Sequence, residues 1–220
     1  MWSPRAPLLA FALLASGCAT GSRVARPSAL PPPATESRAG TRDPDAGPAP
    51  ASPRRAQARA GPRDVAVRRA IDAAQGLVGR RDIVVSGVSY GDGCAALVRA
   101  AFDRAGAPLP QRANDAPSLL AHARERGTVR RSKPAPGDLV FLADRPGGPA
   151  EHVGLVASVG EDGTALVLHH TDRGVARIRV NTAQPWKART EAGRALNDVL
   201  LVGAGRVTAG RLLVAWATIL

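Results

Sequence analysis

A length of 220 residues allows one domain of ordinary size plus additional segments. The formal net charge is +12, but the positive residues are spread along the chain and aromatic residues make up only 3% of it. No basic run is interleaved with aromatic side chains that could stack on bases, so the composition argues against a specific nucleic-acid partner. The charge indicates either a weak attraction to polyanions or an arginine-rich composition bias.

The first 18 residues have the pattern of an export signal. Arg5 supplies positive charge, residues 8–14 form an apolar segment too short to span a bilayer, and Ala15-Ser16-Gly17 leads into Cys18. Small residues before a cysteine resemble the cleavage box of bacterial lipoproteins. The resemblance implies lipidation of Cys18 and an exported protein anchored to a bacterial membrane, in the periplasm or cell envelope. A cleaved, soluble export signal is the alternative.

A linker is predicted to follow the signal. Residues 19–63 are rich in Pro, Ala and Arg and have no hydrophobic period. Such a segment cannot bury enough apolar surface to offset its ordering entropy, so we predict a disordered, extended tether. The folded domain then covers residues 64–220.

Helices are predicted in the first half of this domain. Apolar residues recur at helical spacing over residues 65–78, about 94–105 and 117–126. Residues 83–88 are β-branched and indicate a short strand or an extended loop.

Strands are predicted in the second half. Pro136-Gly137-Asp138 indicates a turn that Asp138 shapes without a catalytic role, and residues 160–163 indicate a hairpin turn. Helices followed by an antiparallel sheet predict an α+β domain. The predicted strands cover residues 139–142, 152–159, 165–171 and 175–180.

The C-terminal tail has a weaker pattern. Residues 196–202 are compatible with a helix. Residues 212–220 are apolar but too few to cross a membrane, so we expect them to pack on the domain.

Cys94 is predicted to begin the second helix, directly after the tight loop Gly91-Asp92-Gly93. A thiol in the first turn of a helix lies near the positive end of the helix dipole, which lowers its pKa and favours the reactive thiolate. If Cys18 carries lipid, Cys94 has no disulfide partner. Cys94 is then either a small buried residue or a nucleophile.

The register of the predicted hairpin decides which histidines meet. If Val159 pairs with Thr164, His169 lies opposite Gly154. His152 then shares a face of the sheet with His169 at a diagonal distance of roughly 5–8 Å.

These residues suit nucleophilic catalysis. Cys94 would attack a carbonyl as thiolate, and His152 would take its proton and later give it to the leaving amine. His169 would orient the His152 ring, and the backbone N–H of Cys94 would donate to the oxyanion. A change of register by one residue would exchange His169 with His170.

Two other interpretations of the same residues stay open. His152 and His169 could be structural, or could form a zinc site with Cys94 and His170. Zinc is disfavoured because no motif supplies ligands at the usual short spacings, so we predict no metal and no cofactor.

Four sequence segments together resemble the NlpC-type and CHAP-type cell-wall hydrolases, two branches of the papain-like cysteine peptidases. The resemblance extends over roughly residues 68–181. The matching segments are Gly93-Cys94-Ala95-Ala96-Leu97-Val98, Pro136-Gly137-Asp138-Leu139-Val140-Phe141, His152-Val153-Gly154-Leu155-Val156 and Val167-Leu168-His169.

The resemblance implies a papain-like α+β fold, with N-terminal helices packed on an antiparallel sheet and the catalytic cysteine at a helix N-terminus. It also implies an endopeptidase or amidase that cleaves amide bonds in peptidoglycan stem peptides, with Cys94, His152 and His169 as the catalytic set. The likeness to CHAP-type domains, in which the third residue is often acidic or an amide, makes an acidic group another candidate for the third role. We expect a monomer.

The surroundings of the cysteine differ from the family pattern. Gly93 stands where the NlpC-type pattern has an aspartate, and Ala95-Ala96 stands where it has Ser-Gly. An inactive papain-like lipoprotein that binds cell-wall peptides or a protein partner is therefore the alternative function, and a basic adhesion or scaffold lipoprotein with a buried cysteine is a third.

Overall fold

A six-stranded antiparallel sheet, with helices packed on one of its faces, is the centre of the structure. The structure is a computed structural model that describes residues 61–203 and 205–220. Cys18, the predicted signal and most of the predicted tether lie outside the described residues. The predicted α+β class, with helices first and the sheet after them, is confirmed.

The described residues form three α-helices, ten strands and one 3₁₀ turn. The helices are α1 (Pro62–Gln75), α2 (Cys94–Arg104) and α3 (Ala116–Glu125). The strands are β1 (Val84–Val85), β2 (Val88–Ser89), β3 (Val129–Arg130), β4 (Leu139–Leu142), β5 (His152–Val159), β6 (Ala165–Thr171), β7 (Gly174–Val180), β8 (Val199–Val202), β9 (Gly205–Thr208) and β10 (Leu213–Ala217), and the 3₁₀ turn is Ala209–Leu212.

Helix α1 begins two residues before the predicted domain boundary at Asp64. Pro62 occupies the first helical turn, where its missing N–H costs nothing, and the Asp64 carboxylate accepts a hydrogen bond of 3.2 Å from the Gly61 N–H. Within the described part of the chain, no helix is both long enough and apolar enough to cross a membrane.

The strands of the main sheet lie in the order β3-β10-β4-β5-β6-β7. Alternate residues of β4 enter two different cores: Leu139 and Phe141 pack with the helices, whereas Val140 and Leu142 pack with Trp216 on the other face. Because both faces are covered, β4 is apolar throughout.

In the hairpin β5–β6, Gly154 pairs with the predicted residue although the turn differs from the predicted one. Val159 pairs with Ala165 and not with Thr164, but a bulge between Val156 and Ser158 takes up the extra residue. Gly154 consequently lies opposite His169, as predicted.

The predicted helix over residues 196–202 is wrong. Residues 199–202 form strand β8, which pairs with β9 in a hairpin. Leu200 and Val202 pack on the second core while Val199 and Leu201 are exposed, and this alternation with period two is that of a strand. The terminal residues do pack on the domain, because β10 lies between β3 and β4 in the main sheet.

Asp138 organises the turn that leads into β4. Its buried carboxylate accepts hydrogen bonds from the Arg130 guanidinium, from the Ala135 N–H at 2.5 Å and from the Thr218 hydroxyl at 2.8 Å. The structural role predicted for Asp138 agrees with these contacts, which join the turn to β3 and to the residue after β10.

Asp138→Ala should lower the free energy of unfolding by about 2–3 kcal/mol, because it leaves Arg130 and two uncharged donors without their acceptor. Urea unfolding followed by circular dichroism measures the change. Asp72→Asn, which removes an exposed carboxylate from α1, is the control and should leave the free energy of unfolding within about 0.5 kcal/mol of the unaltered protein. Equal effects of the two variants would contradict the role given to Asp138.

Candidate active site

The thiol of Cys94 lies at the first residue of α2, where the helix enters the apolar core. The helix is anchored by buried residues on most of its circumference, among them Leu97, Val98 and Phe102. Its N-cap, Gly93, has φ +101°, a backbone angle that glycine adopts far more readily than other residues, and contributes no capping side chain. The first N–H groups of α2 are therefore not occupied by an N-cap side chain and remain near the thiol.

His152, the first residue of β5, is the partner of the thiol. The two side chains lie close enough for each to shift the pKa of the other, and the backbone of Val153 also acts on the thiol. Burial raises the pKa of the Cys94 thiol, but the hydrogen bonds from His152 and Val153 and the charge of His152 outweigh burial, so the pKa lies below its usual value.

The pKa of His152 is raised to about 9. The hydrogen bond with Cys94 is the largest cause; burial acts in the opposite direction, and the carboxylate of Asp144 adds a further increase. Opposite shifts of the two pKa values favour a thiolate–imidazolium pair at neutral pH.

Asp144 is a site residue that the sequence did not single out. It lies in the loop between β4 and β5, and its Oδ1 is 2.6 Å from Nε2 of His152. The only sequence signal was general, since an acidic group was one candidate for the third role. Which acidic residue reaches the ring depends on the path of the loop, and a pattern of residue types does not specify that path.

His169 lies beside His152 but makes no hydrogen bond with it. The ring centroids are 5.4 Å apart, within the predicted range, and the ring planes meet at 85° in an edge-to-face contact. Within residues 61–203 and 205–220, neither ring nitrogen of His169 has a hydrogen-bond partner. Burial lowers the pKa of His169 to about 4, with a further decrease from the charges of His152 and His170, so the ring is neutral at pH 7.

His170 is directed elsewhere. Its Nε2 lies 2.7 Å from the carbonyl oxygen of Arg81, outside the Cys94–His152 contact. The structure therefore brings together Cys94, His152 and His169, adds Asp144, and places His170 against the segment after α1. The catalytic assignment of these residues stays a prediction.

A groove of about 230 Å³ opens beside the thiol. Three carboxyl groups and one guanidinium line it, so its formal charge is negative although the whole chain is basic. A larger cavity of about 320 Å³ lies between the β4–β5 loop and the segment around Pro185, and none of the predicted site residues lines it. The charged residues of the groove are Asp92, Arg99, Asp115 and Glu151.

The arrangement can perform acyl transfer. A nucleophile at a helix N-terminus, an imidazole that shares a proton with it and a carboxylate on the second ring nitrogen are the parts that such a reaction needs. Among the described residues, no group of three or more His, Cys, Asp or Glu side chains is arranged to hold a metal ion.

The sequence is similar to that of a known protein family. The sequence model of the NlpC/P60 family matches residues 85–195, which include Cys94, His152 and His169. No curated protein matches the chain.

Solved structures with similarity to the chain include three of low sequence identity. An NLP/P60 family protein described as similar to lipoprotein, from Staphylococcus aureus, is 20% identical over 52% of this chain and 36% of its own, with a TM-score of 0.36. An NlpC/P60 family protein from Bacillus cereus is 16% identical over 69% of this chain and 39% of its own, with a TM-score of 0.41. The protein Ly7917 is 20% identical over 69% of this chain and 62% of its own, also with a TM-score of 0.41. The chain thus spans less than two thirds of each of these structures.

The buried, neutral His169 should make the stability of the protein depend on pH. In the unfolded chain the ring binds a proton below about pH 6.5, whereas in the folded protein it binds one only near pH 4. Its contribution to the free energy of unfolding is therefore fully present above pH 6.5 and is lost, by about 3 kcal/mol, as the pH falls to 4.

Replacing the histidine by an uncharged ring, His169→Phe, should remove this part of the pH dependence. Urea unfolding at several pH values between 4 and 7 measures it for both proteins. The same slope in the variant and in the unaltered protein would mean that His169 is not held neutral by burial.

Proposed function

The chain belongs to the NlpC/P60 family, whose members are papain-like cysteine peptidases and amidases of the cell wall, and on that premise we propose that it hydrolyses amide bonds in peptidoglycan stem peptides. The observation that carries the proposal is the pairing of the Cys94 thiol at the start of α2 with the His152 ring at the start of β5, which shifts the two pKa values in opposite directions. A buried structural cysteine would need no such partner.

The proposed reaction begins from the thiolate–imidazolium pair. The sulfur of Cys94 attacks the carbonyl carbon of the peptide, and the oxyanion that forms accepts hydrogen bonds from N–H groups at the start of α2. The His152 imidazolium then gives its proton to the leaving amine as the C–N bond breaks, which leaves a thioester on Cys94.

Hydrolysis of the thioester completes the cycle. Neutral His152 takes a proton from a water molecule, and the resulting hydroxide attacks the thioester carbonyl. The carboxylic acid product leaves and the thiolate–imidazolium pair is restored. His169, the residue that the sequence predicts as the third member of the site, limits rotation of the His152 ring by edge-to-face packing.

The charge of the groove supports a peptide substrate that carries a free ammonium group. Asp92, Asp115 and Glu151 line the groove together with Arg99, and Asp115 also caps helix α3 through a hydrogen bond of 2.8 Å from the Ser118 N–H. A locally negative site in a chain of net charge +12 favours a cationic ligand over the anionic polymers that the whole molecule attracts.

For location, we propose that lipid on Cys18 anchors the protein to a bacterial membrane and that the Pro/Ala/Arg-rich segment after it gives the domain reach into the cell wall. The support is the sequence pattern of residues 1–18 together with the composition of residues 19–60. The inactive, peptide-binding relative is the competing function, and the cleavage assay below separates the two.

Cys94→Ala should lower the rate of peptidoglycan cleavage by about 10³-fold or more, because the reaction has no other nucleophile. Purified domain is incubated with peptidoglycan, and new amino and carboxyl termini are identified by mass spectrometry. His170→Gln is the matched control: His170 follows His169 in β6 but lies on the opposite face of the sheet, so the variant should keep nearly full activity. Retained cleavage by the Cys94 variant, with its fold intact by circular dichroism, would end the catalytic proposal.

Cys18→Ala should release the full-length protein from the membrane fraction, because a polypeptide without the lipid lacks the acyl chains that hold it in the bilayer. Fractionation of cells followed by immunoblotting measures the distribution. Cys94→Ala should fractionate like the unaltered protein. Unchanged membrane association of the Cys18 variant would exclude lipidation at that residue as the anchor.

A further inference from the structure

We propose that Asp144 is the residue that positions the catalytic imidazole, and that His169 acts only as a neutral packing partner of that ring. The inference rests on the proposed function, since it concerns the same thiol and imidazole. It changes the third member of the site from a histidine on β6 to a carboxylate in the loop that precedes β5.

The contact between Asp144 and His152 has the geometry of an orienting hydrogen bond. The distance of 2.6 Å between Oδ1 and Nε2 is that of a short, charge-assisted bond, with the ring donating and the carboxylate accepting. Because Asp144 occupies Nε2, the remaining ring nitrogen, Nδ1, is the one available to Cys94. One contact thus fixes both the orientation of the ring and the nitrogen that carries the exchanging proton.

The backbone explains why this loop places a carboxylate at the ring. Leu142, the last residue of β4, pairs directly with His152, the first residue of β5, so Asp144 follows only two residues after the position opposite the histidine. Ala143 is buried and its N–H donates to the Leu212 carbonyl at 2.8 Å. At the other end, the Glu151 N–H donates to the Leu142 carbonyl at 2.9 Å, so both ends of the loop are held.

His169 lacks the features of an orienting residue. Both of its ring nitrogens are buried and have no hydrogen-bond partner in the part of the chain that the structure describes, so it neither donates to nor accepts from His152. Its ring is neutral at pH 7, and a proton on it would repel the His152 imidazolium. The edge-to-face contact at 5.4 Å still restricts the space in which the His152 ring can turn.

The ion pair between Asp144 and His152 is exposed to solvent, so its effect on Cys94 should depend on salt concentration. The side chain of Asp144 is 66% exposed and that of His152 is 41% exposed, so water and salt reach the ion pair. The electrostatic part of the Asp144 effect is therefore screened at high ionic strength. Packing by His169, which lies in the apolar interior, carries no such dependence.

The test measures the thiolate of Cys94 directly, by the rate of its alkylation with iodoacetamide between pH 4 and 9. Asp144→Ala destabilises the imidazolium, so the pH at which the reactive thiolate appears should rise by about one unit, a roughly tenfold loss of rate below the plateau. Asp144→Asn, which keeps an acceptor oxygen but removes the charge, should show an intermediate shift that shrinks in 1 M NaCl. His169→Phe, or His169→Gln if the first variant does not fold, should move the profile by less than a factor of two.

Asp172→Asn is the matched control, because it removes an exposed carboxylate from the turn after β6 and so tests charge loss at the same end of the sheet. It should leave the alkylation profile unchanged. For peptidoglycan cleavage, Asp144→Ala should lower kcat by about tenfold with little change in KM, since the carboxylate acts through His152 and does not contact substrate.

The outcomes separate the two proposals. A profile that Asp144→Ala does not move, or that His169→Phe moves as far, overturns the role of Asp144 whatever the activity. A profile that shifts as expected in a protein that cleaves no peptidoglycan supports Asp144 and refutes the proposed hydrolase. A reactive thiolate that is absent below pH 8 in the unaltered protein overturns both.

Discussion

The contact between the Cys94 sulfur and the His152 ring is the constraint on which the rest of this structure depends. Each partner stabilises the charged form of the other, so the pKa of the thiol is lowered and the pKa of the imidazole is raised. The two residues are distant in sequence, so the contact requires that the start of α2 meet the start of β5. Burial of α2 in the core that it shares with Val153 and Leu155 brings these two ends together, and the geometry of the site is thus a consequence of packing.

Two glycines shape the site, one by allowing a close approach between strands and the other by its backbone angle. At Gly154, an added Cβ would lie 2.7 Å from a Val167 methyl carbon and 2.8 Å from the Leu168 carbonyl oxygen, so any side chain there would push β6, which carries His169, away from β5. At Gly93 no atom of the described residues would crowd a Cβ, and the backbone angle of +101° is itself the reason for glycine. The first glycine sets the distance between strands, and the second sets the direction in which the chain enters α2.

Much of this arrangement could be predicted from sequence, because hydrophobic period and turn residues are local signals. The bounds of β4, β5 and β6 were predicted to the residue. The pairing of Gly154 with His169 was right although the assumed turn was not, since the bulge after Val156 compensated for the error. Residues 196–202 were mistaken for a helix because four apolar residues in succession fit either period, and Asp144 was missed because loop closure is a tertiary property.

The loss of the aspartate before the cysteine is compatible with catalysis because the Asp144 carboxylate lies on the imidazole side of the pair. The NlpC-type pattern has a carboxylate directly before the cysteine, where this chain has Gly93. A carboxylate beside a thiolate opposes its formation, whereas one beside the imidazolium favours the ion pair as a whole. Asp144 supplies charge on the imidazole side, 2.6 Å from Nε2, while Gly93 places no carboxylate at the residue directly before the cysteine. The departure at Gly93 is therefore an electrostatic gain for the thiolate, and it weighs against the inactive relative that the same departure suggested.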